Sequence, residues 1–150
     1  MKLKLLNAIL RLHESNIRNL HWNSIGAEFN DAHKAITEEY YELFATNIDK
    51  VSEIMGMLGI NPPNYMETAD MIRTTENKYI VVKSDRMYTR EEIIKALDII
   101  FDNITSLLVE VLEDPDIQSP SNVGIKAELE NILYTFDFQK RYINKRRSMM

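Results

Sequence analysis

The chain has 150 residues, with 18 Lys and Arg against 23 Asp and Glu, so its formal net charge at pH 7 is −5. It contains no cysteine, which excludes a disulfide scaffold, a thiolate metal site and a cysteine nucleophile. The acidic balance argues against a protein that binds nucleic acid mainly through charge, and no apolar run approaches the roughly 20 residues of a membrane span. We therefore expect one soluble domain over residues 1–150 and, because the N-terminus lacks the features of a signal peptide, a cytoplasmic location.

Glycine and proline are sparse, with four of each, and this favours long helices over the frequent turns of an all-β fold. Apolar residues at helical spacing predict a first helix over about 2–22 and a second over about 29–58, with Gly59 as its C-terminal cap. The less regular segment that follows predicts a short helix near 67–72. The run 79–82 has strand propensity, but we expect an extended loop because it has no obvious partner strand.

A third long helix is predicted to begin at the capping box formed by Thr89 and Glu92 and to stop at Pro115. The fourth begins near Ser121 and ends in the basic residues 145–147, whose positive charge suits the C-terminal end of a helix dipole. The only long connection lies between the second and third long helices. The pattern therefore predicts an all-α four-helix bundle with a long crossover between helices two and three.

The chain has three histidines, and two of them are candidate metal ligands. His13 lies on the apolar stripe of the first helix, which predicts a packed or partly exposed histidine and not a ligand. His21 and His33 lie twelve residues apart on either side of a turn that could bring their imidazoles together, and neutral imidazoles with carboxylates suit Fe, Zn, Mn or Cu. Asp49 and Glu53 share one face of the second helix, where they are either a ligand pair or part of a solvated surface.

An ordinary di-iron site inside a four-helix bundle is excluded by the spacing around the histidines. Such sites use a Glu-x-x-His pair from each of two helices. The residues three positions before the histidines are Leu10, Arg18 and Asn30. Any metal site in this chain must therefore be assembled in another way.

Residues 21–33 read HWNSIGAEFNDAH, which fits the pattern HWxxxGxxFxxxH. This pattern resembles the signature of the Dps family, the mini-ferritins also called DNA-binding proteins from starved cells. The spacing of Asp49 and Glu53 adds to the resemblance, and its specific part covers about 20–63 of the chain. The resemblance implies a ferritin-like four-helix bundle that assembles into a hollow dodecamer. It also implies oxidation of Fe(II), often with hydrogen peroxide, and storage of Fe(III) mineral inside the shell.

The resemblance further implies that the metal centre lies at a two-fold interface. His21, His33 and a following carboxylate would come from one subunit, and Asp49 and Glu53 from its mate. The family usually has an Asp four residues after the second histidine, where this chain has Thr37, and the interval from that histidine to the Asp is one residue longer here. Because of these two departures, the alternative that the metal site is degenerate stays open.

One inserted residue, absorbed as a π-bulge near 35–37, would remove both departures and place Glu38 in the position of the missing carboxylate. No catalytic residue is expected beyond the metal ligands, and iron is the expected metal. Trp22 would lie beside the centre, as a core or interface anchor or as a quencher of radicals. The predicted ligands are His21, His33, Glu38, Asp49 and Glu53.

Three functions compete. The first is an oxidoreductase, a ferroxidase and iron store that uses peroxide or oxygen and protects against peroxide. The second is DNA compaction, which we do not favour because the chain is acidic and the basic residues of 140–147 also suit a helix C-terminus. The third is a ferritin-like assembly component, structural or DNA-associated, with an eroded metal site.

Overall fold

The structure is a computed structural model that describes residues 2–26, 30, 33–34 and 38–149. Its regular elements are helices, which confirms the all-α prediction. None of the helices in this described part is both long and apolar enough to cross a membrane. The helices are α1 (Lys2–Trp22), α2 (Tyr40–Met57), α3 (Tyr65–Thr74), α4 (Arg90–Leu112), α5 (Pro115–Gln118), α6 (Val123–Phe138) and α7 (Lys145–Ser148), with a 3-10 turn at Pro120–Asn122 and a π-helical segment at Gln139–Asn144.

Four helices form the bundle: α1, α2, α4, and α6 with its π-helical continuation. The most extensive packing joins α1 to α2 and to α4, and α4 to α6. The connection from α2 to α4 is the long crossover, and α3 lies within it against α1. The predicted bundle, including the crossover between the second and third long helices, is therefore confirmed.

The capping box predicted for the third long helix is present at the start of α4. The Thr89 hydroxyl accepts from the Glu92 amide at 3.3 Å, and the Thr89 amide donates to the Glu92 carboxylate at 3.2 Å. An equivalent box, formed by Asn64 and Glu67, begins α3. Because this second box starts the helix earlier than the apolar pattern suggested, α3 is longer than the predicted 67–72.

Aromatic side chains tie three helices together in the core. Phe101 of α4 lies 5.3 Å from Tyr40 of α2 and 6.2 Å from Phe136 of α6, measured between ring centroids. Phe44, one turn after Tyr40, meets Phe136 at 5.5 Å. All four side chains are at most 2% exposed. The start of α2 is therefore held against α4 and α6 by contacts that leave no room for a smaller residue without a cavity.

His13 is a buried core histidine, the packed form of the two that its place on the apolar stripe predicted. Its exposed fraction is 0%, and burial lowers its pKa to about 3. Its Nδ1 accepts from the Asn16 side-chain amide at 3.0 Å, and the same amide nitrogen lies 3.4 Å from the Tyr79 carbonyl oxygen. Asn16 thereby connects α1 to the crossover.

The end of the crossover pairs with the loop that follows α1. The Tyr88 amide donates to the Asn23 carbonyl at 2.7 Å, and the Ile25 amide donates to the Tyr88 carbonyl at 2.9 Å. The two bonds form an isolated parallel bridge between Ser24 and Tyr88. The run 79–82 forms no strand, as predicted, and the bridge fixes the loop that begins two residues after His21.

Candidate metal centre

The imidazoles of His21 and His33 lie against each other. Their ring centroids are 3.8 Å apart and their planes differ by 25°, so the rings are stacked. His21 lies in the last turn of α1, and His33 follows the loop that the Ser24–Tyr88 bridge fixes. The two imidazoles therefore lie together, as the sequence suggested.

The carbonyl oxygen of His21 fixes the second imidazole. It accepts a hydrogen bond from His33 Nδ1 at 2.9 Å and another from the Ser24 hydroxyl at 3.0 Å. Because a carbonyl can only accept, Nδ1 of His33 carries the hydrogen, and in the neutral ring the lone pair lies on Nε2. This is the arrangement in which a histidine ligates a metal through one nitrogen while the other is held by the protein.

Tyr41 also contacts His21, and Arg18 lies over the Tyr41 ring. The Tyr41 ring meets the His21 ring edge-on at 5.5 Å, and the Arg18 guanidinium carbon lies 4.5 Å from the Tyr41 ring centroid. Burial raises the pKa of Tyr41, the Arg18 charge opposes that rise, and the charge of Glu38 adds to it. Sequence reasoning missed both Tyr41 and Arg18, although Tyr41 lies three residues after Glu38 and so on the same helical face.

Glu38 is exposed, and its backbone is π-helical, as are the backbones of His33 and Lys34. The π-bulge predicted at residues 35–37 lies outside the described residues and stays a prediction. The π-helical residues on both sides of that interval are what an inserted residue would produce.

Asp49 and Glu53 do not meet the histidines within one chain. Both carboxylates are on the exposed side of α2. Tyr41 is the residue of α2 that contacts His21. Asp49 comes eight residues after Tyr41, so it lies about 12 Å further along the helix axis at a rise of 1.5 Å per residue. Within the described part of the chain, no three His, Cys, Asp or Glu side chains group closely enough to hold a metal ion.

Trp22 is 62% exposed, so the prediction that it is a core residue is wrong. Trp22 follows Ser15 and Arg18 by seven and four residues, so it lies on the solvent side of α1, away from the buried Ile17. Ile25 in the adjoining loop is 41% exposed. The other two predictions, that the indole anchors an interface or quenches radicals, stay predictions.

The predicted donors fit iron by their chemistry. Two imidazoles suit Fe(II), and carboxylate oxygens favour Fe(III). In the described part of the chain the two imidazoles already lie together, whereas the carboxylates lie on the surface away from them. A complete donor set therefore needs either movement within the chain or a second copy.

No protein-family model matches the chain. Over 46 residues it is 46% identical to the DNA protection during starvation protein of Helicobacter pylori, a match that covers 31% of this chain and 31% of that relative's length. Its fold is similar to that of Helicobacter cinaedi CAIP, with a TM-score of 0.79, 25% identity, and coverage of 98% of this chain and 96% of the other. It is also similar to Dps from Thermosynechococcus elongatus, with a TM-score of 0.73, 22% identity, and coverage of 97% and 86%.

Proposed function

We propose that the chain, which is similar to Dps proteins over part of its sequence and in its fold, oxidises Fe(II) at a centre shared between two copies. The Fe(III) product is stored inside a homo-oligomeric shell, with twelve subunits as the expected number. His21, His33 and Glu38 of one copy and Asp49 and Glu53 of its mate hold the substrate iron. The protein would work in the cytoplasm, where this oxidation limits damage by peroxide.

The observation that carries this proposal is the stacked, carbonyl-fixed pair of His21 and His33 in a chain whose other predicted ligands lie elsewhere. The imidazole half of the donor set is already ordered by α1 and its loop. Asp49 and Glu53 are exposed on α2, available to another copy. Trp22 and the nearby Ile25 are both exposed and suit a surface that a second copy covers, because exposed apolar patches often mark interfaces.

The chemistry requires an oxidant that accepts electrons from iron. Two Fe(II) ions each give up one electron, and hydrogen peroxide takes both electrons with two protons and becomes two waters. Imidazole ligation holds the ferrous substrate, and carboxylate oxygens stabilise the ferric product. The same electron transfer with oxygen as acceptor would use the same ligands.

Native mass spectrometry, with and without Fe(II) added under nitrogen, tests the proposal. Twelve chains of 17.6 kDa correspond to about 211 kDa, and we expect that species to gain up to two irons per subunit. A shell of that mass without iron would favour the alternative function, an assembly protein with a degenerate metal site. A monomer that binds no iron would rule out the shared centre.

DNA association is the weaker alternative because several of the C-terminal cations form ion pairs within the chain. Lys140 pairs with Asp102 at 2.6 Å, and Arg141 pairs with Asp137 at 2.8 Å. A phosphate backbone would have to compete with these carboxylates. A gel shift that persists at physiological salt would nevertheless support DNA association, since phosphate contacts weaken steeply as salt increases.

A further inference from the structure

The hydroxyl group of Tyr41 is buried, and no hydrogen-bond partner for it exists in the described part of the chain. Burying an unpaired hydroxyl is unfavourable, because the group loses its bonds to water and gains none in return. Phenylalanine would make the same ring contacts without this cost. An unpaired buried polar group therefore calls for an explanation beyond packing.

The ring itself is held from two sides, so the hydroxyl cannot easily turn towards water. His21 meets the ring edge-on, and the Arg18 guanidinium covers it at 4.5 Å. Arg18 in turn lies 3.6 Å from the Glu14 carboxylate, its neighbour one turn earlier on α1. Because the hydroxyl oxygen lies on the axis of ring rotation, a ring flip leaves it where it is.

Glu38 is the acceptor side chain nearest to Tyr41 in sequence on the same helical face. It lies three residues before Tyr41, and residues three apart on helical backbone are neighbours. Its carboxylate is exposed in this structure. To bind a metal beside His33, it has to turn inward from solvent, towards the side of α2 on which Tyr41 contacts His21.

We propose that Tyr41 is a positioning residue, whose hydroxyl donates a hydrogen bond to the Glu38 carboxylate when that carboxylate turns inward to bind metal. The ring keeps the His21 imidazole in place in both states. The inference rests on the proposed function, because it assumes that Glu38 is a ligand. It explains the unpaired hydroxyl as a group that gains its partner only when the centre is filled.

Two opposite effects follow for Tyr41→Phe, which removes the hydroxyl and keeps the ring. The metal-free protein becomes more stable, because an unpaired buried hydroxyl has gone. Metal binding becomes weaker, because the carboxylate ligand loses the group that orients it. A purely structural tyrosine would not produce this combination.

The experiment uses the full-length protein and Co(II) alone as a spectroscopic probe of the ligands. For Tyr41→Phe we expect the melting temperature without metal to rise by about 2–4 °C and the Co(II) dissociation constant to increase by about tenfold. In a Glu38→Gln background the same substitution should leave Co(II) affinity unchanged. Tyr134→Phe is the matched control, since Tyr134 is 68% exposed on α6, and it should change neither quantity.

A Tyr41→Phe protein that melts and binds Co(II) like the wild type would overturn the inference. Additive losses of affinity in the double variant would also overturn it, since they would show that the hydroxyl does not act through Glu38. If the wild type itself binds no Co(II), the proposed function fails as well. If the wild type binds Co(II) and only the Tyr41 effect is absent, the shared centre stands and this inference alone is lost.

Discussion

His33 contacts His21 in two ways. Its ring stacks on the His21 ring with the centroids 3.8 Å apart, and its Nδ1 donates to the His21 carbonyl at 2.9 Å. The first contact sets the distance between the imidazoles, and the second sets which nitrogen carries the hydrogen. A ligand pair that is ordered before metal arrives loses less conformational freedom on binding. The chain thus offers one preorganised half of a centre.

A shared centre predicts complementation between two inactive variants. His33→Ala should abolish Fe(II) oxidation, and so should Asp49→Ala combined with Glu53→Ala. When the two proteins are unfolded, mixed in equal amounts and reassembled, about a quarter of wild-type activity should return. Half of the randomly formed two-fold pairs are mixed, and each mixed pair contains one intact centre.

Absorbance-monitored Fe(II) oxidation measures this recovery. The control is each variant taken through the same unfolding and reassembly alone, which should stay inactive. If native mass spectrometry shows mixed shells but no activity returns, a shared centre is contradicted.

Ser24 is predicted to support the histidine pair through the His21 carbonyl. Ser24→Ala removes the 3.0 Å hydrogen bond to that oxygen from a side chain that is 2% exposed. We expect a loss of about 1 kcal/mol in unfolding free energy and a Co(II) affinity about tenfold weaker. Ser15→Ala, at an exposed position of α1, is the control and should alter neither. Unchanged Co(II) affinity would show that His33 alone fixes the carbonyl.

His13 is predicted to make the protein less stable in acid. Burial lowers its folded-state pKa to about 3, below the ordinary value of 6.5. Between these values the unfolded chain binds a proton that the folded chain does not, so stability is retained above pH 6.5 and decreases as pH falls towards 3. The full effect, reached only below pH 3, is at most about 5 kcal/mol.

Urea unfolding at pH 7 and pH 4 measures this dependence. His13→Gln keeps an acceptor for Asn16 without a titrating ring, so the variant should lose less stability than the wild type between the two pH values. Equal losses in the two proteins would mean that other groups cause the acid sensitivity.

Phe101 is predicted to be critical for the core, because its ring contacts Tyr40 and Phe136 and is 0% exposed. Phe101→Ala should lower the free energy of unfolding by about 3–5 kcal/mol through lost burial and a residual cavity. Tyr134→Ala, at an exposed aromatic on α6, should change it by no more than about 0.5 kcal/mol. Denaturant titration of both variants gives the comparison, and similar small effects would indicate that the core repacks around the gap.

The bounds of the first and third long helices could be read from the chain because their signals are local. Apolar spacing predicted α1 over 2–22, and the Thr89–Glu92 box placed the start of α4. For the second helix only the later part can be compared: α2 covers Tyr40–Met57, close to the predicted end near 58. Most of its predicted start, including 35–37 where the bulge is predicted, lies outside the described residues.

The sequence by itself determined the all-α bundle and the crossover, because periodicity and caps are properties of neighbouring residues. The candidate ligands came from the resemblance of its motif to a known family and stay a prediction. Only the tertiary structure decided that His33 Nδ1 donates a hydrogen bond to the His21 carbonyl, that the Tyr41 ring contacts the His21 ring edge-on, and that Trp22 is exposed. These facts depend on how segments distant in the chain pack against one another. The distance between the histidines and the carboxylates of Asp49 and Glu53 is also a tertiary property, because it follows from the fixed rise per residue of α2 after Tyr41.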